Sequence, residues 1–464
     1  MSDFIKFPAD LQTIWDRDTL DREFLEGLEA TLAFAEIAST QPFAAGVGET
    51  TTATRAGLYP LTNVTPLTPA QLYSDQNNGM TPMDWNVEQF TMKIAQYGNM
   101  AQPLDVNSVG TAIDDAFAQS SYALGEHAGR FMDTLARNAL YSAYTGGNSF
   151  VLDTLGAPAT ELHVDNIIGF DKIYLSTTDA LGNDMYQPVS PTYPMNVTIS
   201  TLVNPIGTIY SCVGAVPDVT NISSTLAIGG VSGTLTFASS VIVLDGTEGN
   251  GLVGQFAPVI LRQGGEISPF HITGTDILTM KTLRDATIVL RNNNVPGVNG
   301  GYNIYLTPES MGQIFDDTEF QTLYSSNPKS RVYKEFGIIE LLDLTFIVSN
   351  MNPIFDLNGQ RINRPIVCGR DVMVRGESSY FLAGNKIQSA PNNDTVLQKY
   401  IKTKNGITIA MTVRPPTDML KKIYNQAWQW VGGHVIPTDL TATNQIIPTA
   451  TNSYFKRAVV IETA

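Results

Sequence analysis

One apolar stripe constrains this chain more than any other feature. Ile113, Phe117, Leu124, Ala128, Phe131 and Leu135 recur at steps of four, seven, four, three and four, the spacing of one face of an α-helix. The pattern predicts a helix over 111–145. Thr111 caps its start, Asp114 sits three residues on in a near capping-box position, and Gly146-Gly147 stops it. A helix of about 30 residues is about 45 Å long at 1.5 Å per residue, well beyond the usual length. Its other face is small and polar, with Ser120, Ser121, Gly125 and Gly129. That composition suits a helix lying across a thin, flat protein. The stripe itself is core packing, and its length sets the span.

On either side of this helix the chain changes character. Residues 1–57 hold a helical pattern from Thr19 to Ile37, with Leu20, Phe24, Leu28, Leu32 and Phe34 three or four apart, between polar, irregular flanks. Alone it buries little, so it is expected to be an arm that needs a partner surface. Residues 58–110 contain the turn Gly79-Met80-Thr81-Pro82. Phe90, Met92 and Ile94 then alternate with Thr91, Lys93 and Ala95, the period of a half-buried strand. Tyr97-Gly98-Asn99 breaks the strand, Leu104 and Val106 suggest a return, and the whole is expected to be an extended hairpin. Residues 150–275 are rich in Val, Ile, Thr, Ser and Gly, with short strands at Val197–Leu202, Gly207–Val213, Gly233–Phe237 and Val241–Leu244 between turn residues. This predicts an inserted all-β domain, a barrel or sandwich. Residues 276–464 return to mixed α and β. A helix is expected around Ile277–Leu290, a strand at Tyr302–Leu306, and a helix opened by Thr307-Pro308-Glu309 with proline at its first position. Strands are expected at Ile338–Ile347, Ile407–Val413 and Ala458–Ile461.

The 464 residues carry 43% hydrophobic and only 16% charged side chains, with a formal net charge of −16. The length allows a sizeable core and two or three folding units. Low charge suits a subunit that covers its surface with copies of itself. An acidic chain is a poor free nucleic-acid binder, because phosphate contacts need Lys and Arg; an acidic wall around packed DNA is consistent, since it does not stick to its cargo. Cys212 and Cys368 are far apart without CxxC spacing, so neither a disulfide framework nor a zinc site is expected. No signal region and no run of roughly 18 apolar residues occurs; folding in a reducing cytoplasm and no membrane partner are expected.

Catalytic signatures are missing. Histidines occur at His127, His163, His271 and His434, without HExxH, a Gly-x-Ser-x-Gly elbow or a phosphate loop. Asp356-x-Asn358-Gly359 starts like a calcium loop but lacks its closing Glu; a turn between strands is the expected reading. Asp114-Asp115 fits the first turn of a helix, where negative charge suits the dipole; Asp316-Asp317 is a second carboxylate pair. Tyr424, Trp428 and Trp430 lack the interleaved basic residues of a base-stacking platform and are expected to pack. No catalytic residue, cofactor or metal is expected.

The order of elements carries a resemblance. EQFTMKIAQYGNMAQPLDV followed by AIDDAFAQSSYALGEHAGRFMDTLARNALYSAY is similar to a hairpin loop running into a spine helix. YNIYLTPESMGQIFDDTEFQTLY with VYKEFGIIELLDLTFIVSNMNP is similar to the strand, helix and strand of a capsomer-centre domain, and WQWVGGHVI to a late peripheral strand. In this order they resemble the major capsid proteins of tailed bacteriophages, those with the Hong Kong 97-type fold, over about three-quarters of the chain. The resemblance implies an α+β fold of N-arm (1–57), extended hairpin loop (58–110), spine helix of the peripheral domain (111–149), axial domain with returning peripheral strands (276–420) and C-terminal peripheral strands (421–464), with the inserted all-β domain at 150–275, on the outer surface.

It further implies a self-assembling, non-enzymatic subunit of pentamers and hexamers in an icosahedral head enclosing double-stranded DNA. Scaffolding, portal and decoration proteins are the implied partners, the virion the location, and the host cytoplasm the place of assembly. Lys93 lies in the hairpin, but nothing marks an isopeptide partner, so no crosslink is expected. Arm and hairpin are expected to be ordered only by a second subunit, because their own apolar burial at about 25 cal/mol per Å² does not offset roughly 1–2 kcal/mol per residue of ordering entropy. The expected intersubunit contacts are Leu20, Phe24 and Leu28 in the arm and Trp85, Phe90, Met92 and Ile94 in the hairpin. Two rival readings are a bacterial nanocompartment shell and a phage tail or adhesin β-protein.

Overall fold

The computed structural model describes residues 19–43, 50–56, 87–101, 104–105, 113–178, 184–218, 230–325, 340–341, 343–378, 397–414, 423–437 and 453–464. Two helices set its frame. Helix α1, Thr19–Glu29, lies against α2, Ile113–Thr145, which runs 33 residues. The contact is made by glycine. A Cβ on Gly125 would strike the Phe24 carbonyl, one on Gly27 the Tyr122 carbonyl, and one on Gly129 the Thr31 hydroxyl. The small face of α2 is therefore the seat of α1, where two backbones approach closely. The fully buried positions of α2 include Ala128, Met132, Ala136 and Leu140, while Phe131 and Leu135 are only partly buried. Leu124 and Ala128 of the predicted stripe are thus in the core, and beyond them the core line shifts by one position to Met132, Ala136 and Leu140, because α2 is covered on two sides. The predicted helix to Ile37 stops at Glu29 and resumes as a short 3-10 turn, Phe34–Ile37.

A seven-stranded sheet covers the other side of α2. Its order is Ser39–Phe43, Val374–Ser378, Ile423–Val435, Thr408–Arg414 and Leu397–Lys402, with Ala95–Met100 and Leu104–Asp105 also paired to the long strand Ile423–Val435. Trp428 and Trp430 on that strand are buried; Phe131 of α2 packs on Trp428 at a ring distance of 5.7 Å, Tyr97 on Trp430 at 5.8 Å, and Tyr97 and Phe131 on each other at 5.3 Å. The expected hairpin is corrected here. Val87–Lys93 pairs backwards with Thr50–Ala56, Phe90 facing Ala53. The Tyr97-Gly98-Asn99 segment is itself a strand, and Leu104 pairs with Tyr424. Residues 57–86 and 106–112 lie outside the described residues.

A six-stranded mixed sheet forms the second layer system. Its order is Ile260–Arg262, Ala458–Glu462, Ile366–Cys368, Tyr302–Leu306, Leu344–Val348 and Glu340–Leu341. Helix α3, Met280–Asn292, starts at a capping box between Thr279 and Thr282. Helix α4, Pro308–Asp316, is capped by Thr307, and α5, Thr318–Ser325, follows. Helices α4 and α5 lie on the connection between Tyr302–Leu306 and its parallel neighbour Leu344–Val348, as a parallel crossover requires. The last strand is a second correction. Ala458–Glu462 joins this sheet and not the one holding Ile423–Val435. All five of its residues are buried, with α3 and α2 both packed on it, the pattern of a strand covered on both faces. Asn358 and Gly359, both at positive φ, turn the hairpin of Ile354–Leu357 and Gln360–Asn363, the geometry that Asn-Gly favours.

Between α2 and this sheet the chain folds a third unit. Strands Asn148–Phe150, Gly251–Gly254, Met195–Ser200, Thr208–Pro217, Gly233–Val241 and Ala159–Val164 form a six-stranded antiparallel sheet in that order. Its buried core runs from Val151 to Leu252 in one cluster. Of the expected strand Val241–Leu244, only Val241 is in a strand. Ile242–Leu244 form a turn, closed by Gly246 N–H donating to the Ile242 carbonyl and by Tyr210 Oη donating to Asp245 at 2.6 Å.

Candidate contact surfaces and polar ties

The expected intersubunit residues are placed differently from the expectation. Phe24 and Leu28 are fully buried against α2. Phe90 and Met92 are buried with Phe43, Ala53, Val374 and Val435, and Ile94 packs partly against the same cluster. These four buried residues therefore face their own chain. The reason is in the packing: α1 finds the glycine trough of α2, and the strand bearing Phe90 packs on the end of the seven-stranded sheet formed by Phe43, Val374 and Val435. Leu20 belongs to α1, but its side chain lies outside the described residues, and so does Trp85.

Buried charges hold the distant segments together. The Asp133 carboxylate of α2 accepts the backbone N–H groups of Ala33, Phe34 and Ala35 at 2.9, 2.5 and 3.1 Å, fixing the start of the 3-10 turn. Burial raises the Asp133 pKa, and these three donors work against that shift. Arg375 donates to the Ala35 carbonyl at 3.3 Å, to Thr40 at 2.6 Å and to the Asn405 carbonyl at 3.3 Å, with Nε 2.9 Å from Glu377. One guanidinium thus joins the N-terminal strand, its neighbour and the 403–407 turn. In the mixed sheet, Glu462 lies between Arg262 at 2.7 Å and Arg364 at 2.9 Å. Burial pushes the Glu462 carboxyl up, but the two guanidiniums outweigh it and hold it below its ordinary value. Nothing in the sequence spacing marks these ties, since their members lie up to 340 residues apart.

The chemistry-bearing side chains do not converge on a reacting centre among the described residues. His163 is held on both ring nitrogens, by Asp153 at 2.5 Å and Asp218 at 2.9 Å. Ser232 donates to the same Asp218 oxygen at 2.7 Å and not to the ring, so no nucleophile is set against a base. Burial lowers the His163 pKa, but the two carboxylates more than reverse this, and it is raised overall. His434 is buried beside Arg375, and burial drives its pKa down to about 3, so it stays neutral. His127 accepts from Trp428 Nε1 at 3.3 Å beside an open cleft of about 220 Å³, lined by Asn99, Met100, Ala101, Ser120, Ala123 and Leu124. Cys212 and Cys368 are buried and unpaired. No group of three potential metal-binding side chains is present among the described residues, and no described helix is long and apolar enough to cross a membrane.

Of the exposed large apolar side chains, Leu202, Val203, Ile206, Ile209, Ile242 and Leu244, 49–90% exposed, meet at one end of the third unit's sheet, while Val216 lies at its other end and Met100, Ile288 and Val348 lie outside the unit.

No family model matches this chain, and no curated protein matches it. Solved structures do. The chain is similar to the capsid structure of cyanophage P-SCSP1u, at 8% identity and a TM-score of 0.45 over 94% of this chain and 88% of that one. It is similar to the capsid of Ralstonia phage GP4, at 10% identity and 0.43 over 93% and 88%. It is also similar to the capsid of cyanophage Pam1, at 9% identity and 0.43 over 90% and 86%. What this chain is similar to, over 90% of its length or more, is the capsid of bacteriophages.

Proposed function

We propose that this chain is the repeating subunit of a closed shell: a non-enzymatic major capsid protein that gathers into pentamers and hexamers around double-stranded DNA. The observation that supports this best is how the chain distributes its length. A long helix and a seven-stranded sheet form a layered body. A two-stranded ribbon, Thr50–Ala56 with Val87–Lys93, is anchored on it through Ala53, Phe90 and Met92, and from the end of α2 extends a β unit with its own core. A two-stranded ribbon is marginal in water unless something packs on it, and a neighbouring copy can supply that surface, repeated by symmetry. On this reading the ribbon's outer part, and not Phe90 or Met92 at its base, meets the neighbour. Scaffolding, portal and decoration proteins are the further proposed partners, with assembly in the host cytoplasm and the virion as destination.

Electron microscopy and sedimentation of the purified full chain test the reading. Closed particles, or rings of five and six, are expected. A sample that remains a single compact monomer at high concentration would overturn it. Particles recovered from producing cells should hold nuclease-protected double-stranded DNA; particles free of DNA and filled with protein cargo would instead favour the nanocompartment.

A further inference from the structure

The third unit presents an end whose chemistry selects its occupant. The strands Met195–Ser200 and Thr208–Pro217 join through a loop whose Val203 and Ile206 are 81% and 90% exposed. On the sheet face turned away from the core, Val253 pairs beside Thr198, and Thr198 beside Ile209. Val253 and Ile209 are both exposed. Antiparallel pairing brings the end of Gly233–Val241 to this same edge, so the Ile242–Leu244 turn lies there too. The apolar loop, row and turn share one end of one sheet.

Charge then narrows what can cover it. From Met185 to Leu244 the chain holds a single charged residue, Asp218. Asp218 lies at the far end of Thr208–Pro217, engaged by His163 and Ser232. Asp245, just beyond the turn, is buried under Tyr210, and the next exposed charge is Glu248. The whole chain carries a net charge of −16. Two copies brought together through most faces oppose like charge to like charge, which is unfavourable. This end is exempt. It also offers no charge or buried donor with which to choose a different partner. Two identical uncharged apolar surfaces complement each other across a two-fold axis, and their burial is favourable in proportion to area.

We propose that the end of this sheet, centred on Val203, Ile206 and Ile209, is a homotypic contact site for the same surface of a second copy of this chain. Its setting within an assembly rests on the shell reading; the contact itself does not. Ile206→Cys in the full chain places a reactive thiol at the centre of the surface, since Cys212 and Cys368 are both buried. Under mild oxidation it should form a covalent dimer, while Val216→Cys, exposed at the far end of Thr208–Pro217, should not. Val203→Glu with Ile206→Glu should weaken the pairing by about 100-fold or more, because apposed carboxylates would be desolvated without partners. Both positions are exposed, so the fold is kept, and circular dichroism and melting should match the parent. A covalent Ile206→Cys dimer supports the proposal whether or not particles form; without particles it is the shell reading that fails. Equal crosslinking at both cysteines, or normal association of the double glutamate variant, would overturn the proposal and leave the shell reading standing.

Discussion

The unit at 148–254 and the body around α2 are built in opposite ways. The unit closes its core within itself: every member of its buried cluster lies between Val151 and Leu252, and each strand of its sheet finds its partners within 148–254. The body gathers a core that runs from Phe24 to Val460, and its seven-stranded sheet joins Ser39–Phe43 to Val374–Ser378. The ties differ as well. Buried guanidiniums and carboxylates bridge distant segments of the body and mixed sheet, whereas the unit contains no arginine and a single lysine, Lys172. Long-range pairing must overcome loop closure before its contacts are made. Ionic and hydrogen-bonded ties specify which distant segment belongs where, while the unit closes over shorter loops because all its strand partners lie within 148–254.

Removing one carboxylate should strain this contrast most. Glu462→Gln leaves two buried guanidiniums without their counter-charge, and denaturant unfolding should show a loss of about 3–5 kcal/mol. The Glu462 pKa in the fold is below its ordinary value of 4.5, so its stabilisation is present above that value. It should fade as pH falls through the lower folded value. The Gln variant should lack that acid limb.

Leu235→Ala should cost about 3 kcal/mol, from a cavity in the unit's core. Hydrogen exchange should show the loss confined to residues 148–254; protection lost equally in α2 would break the comparison. Gly125→Val should cost about 2 kcal/mol by forcing α1 off α2, and proteolysis should then cut within 19–37 first. The smallest effect concerns His163. Its folded pKa is raised above 6.5, so its contribution is complete below about pH 6.5 and lost as pH rises through the folded value. The site is partly exposed and screened, which limits the change to under about 1 kcal/mol. His163→Gln should flatten this pH dependence in the unit without altering melting of the body.

Legibility followed the same divide. Three strands of the unit, around Val197, Tyr210 and Leu235, are readable to within a few residues because alternation and turns are local signals, whereas Asn148–Phe150, Ala159–Val164 and Gly251–Gly254 are not. In the body, Thr50–Ala56 was missed. Its apolar alternation is absent, and only its threonines carried a strand preference. Ser39–Phe43 was hidden by Pro42, which is tolerated because this strand ends the sheet. Asp133, Arg375 and Glu462 were not legible as ties, since each acts on partners brought near only by folding.

The amino-acid sequence alone determined the helix from Ile113, the helix start at Thr307, the Asn358-Gly359 turn and the β-rich middle. Each depends on hydrogen bonds or periodicities spanning a few residues. Only the tertiary structure decided that Phe24 and Phe90 face inward, that the glycine face of α2 is a seat for α1, and that Ala458–Glu462 lies in the mixed sheet. Burial is a property of a pair of surfaces, and here the second surface lies tens to hundreds of residues away.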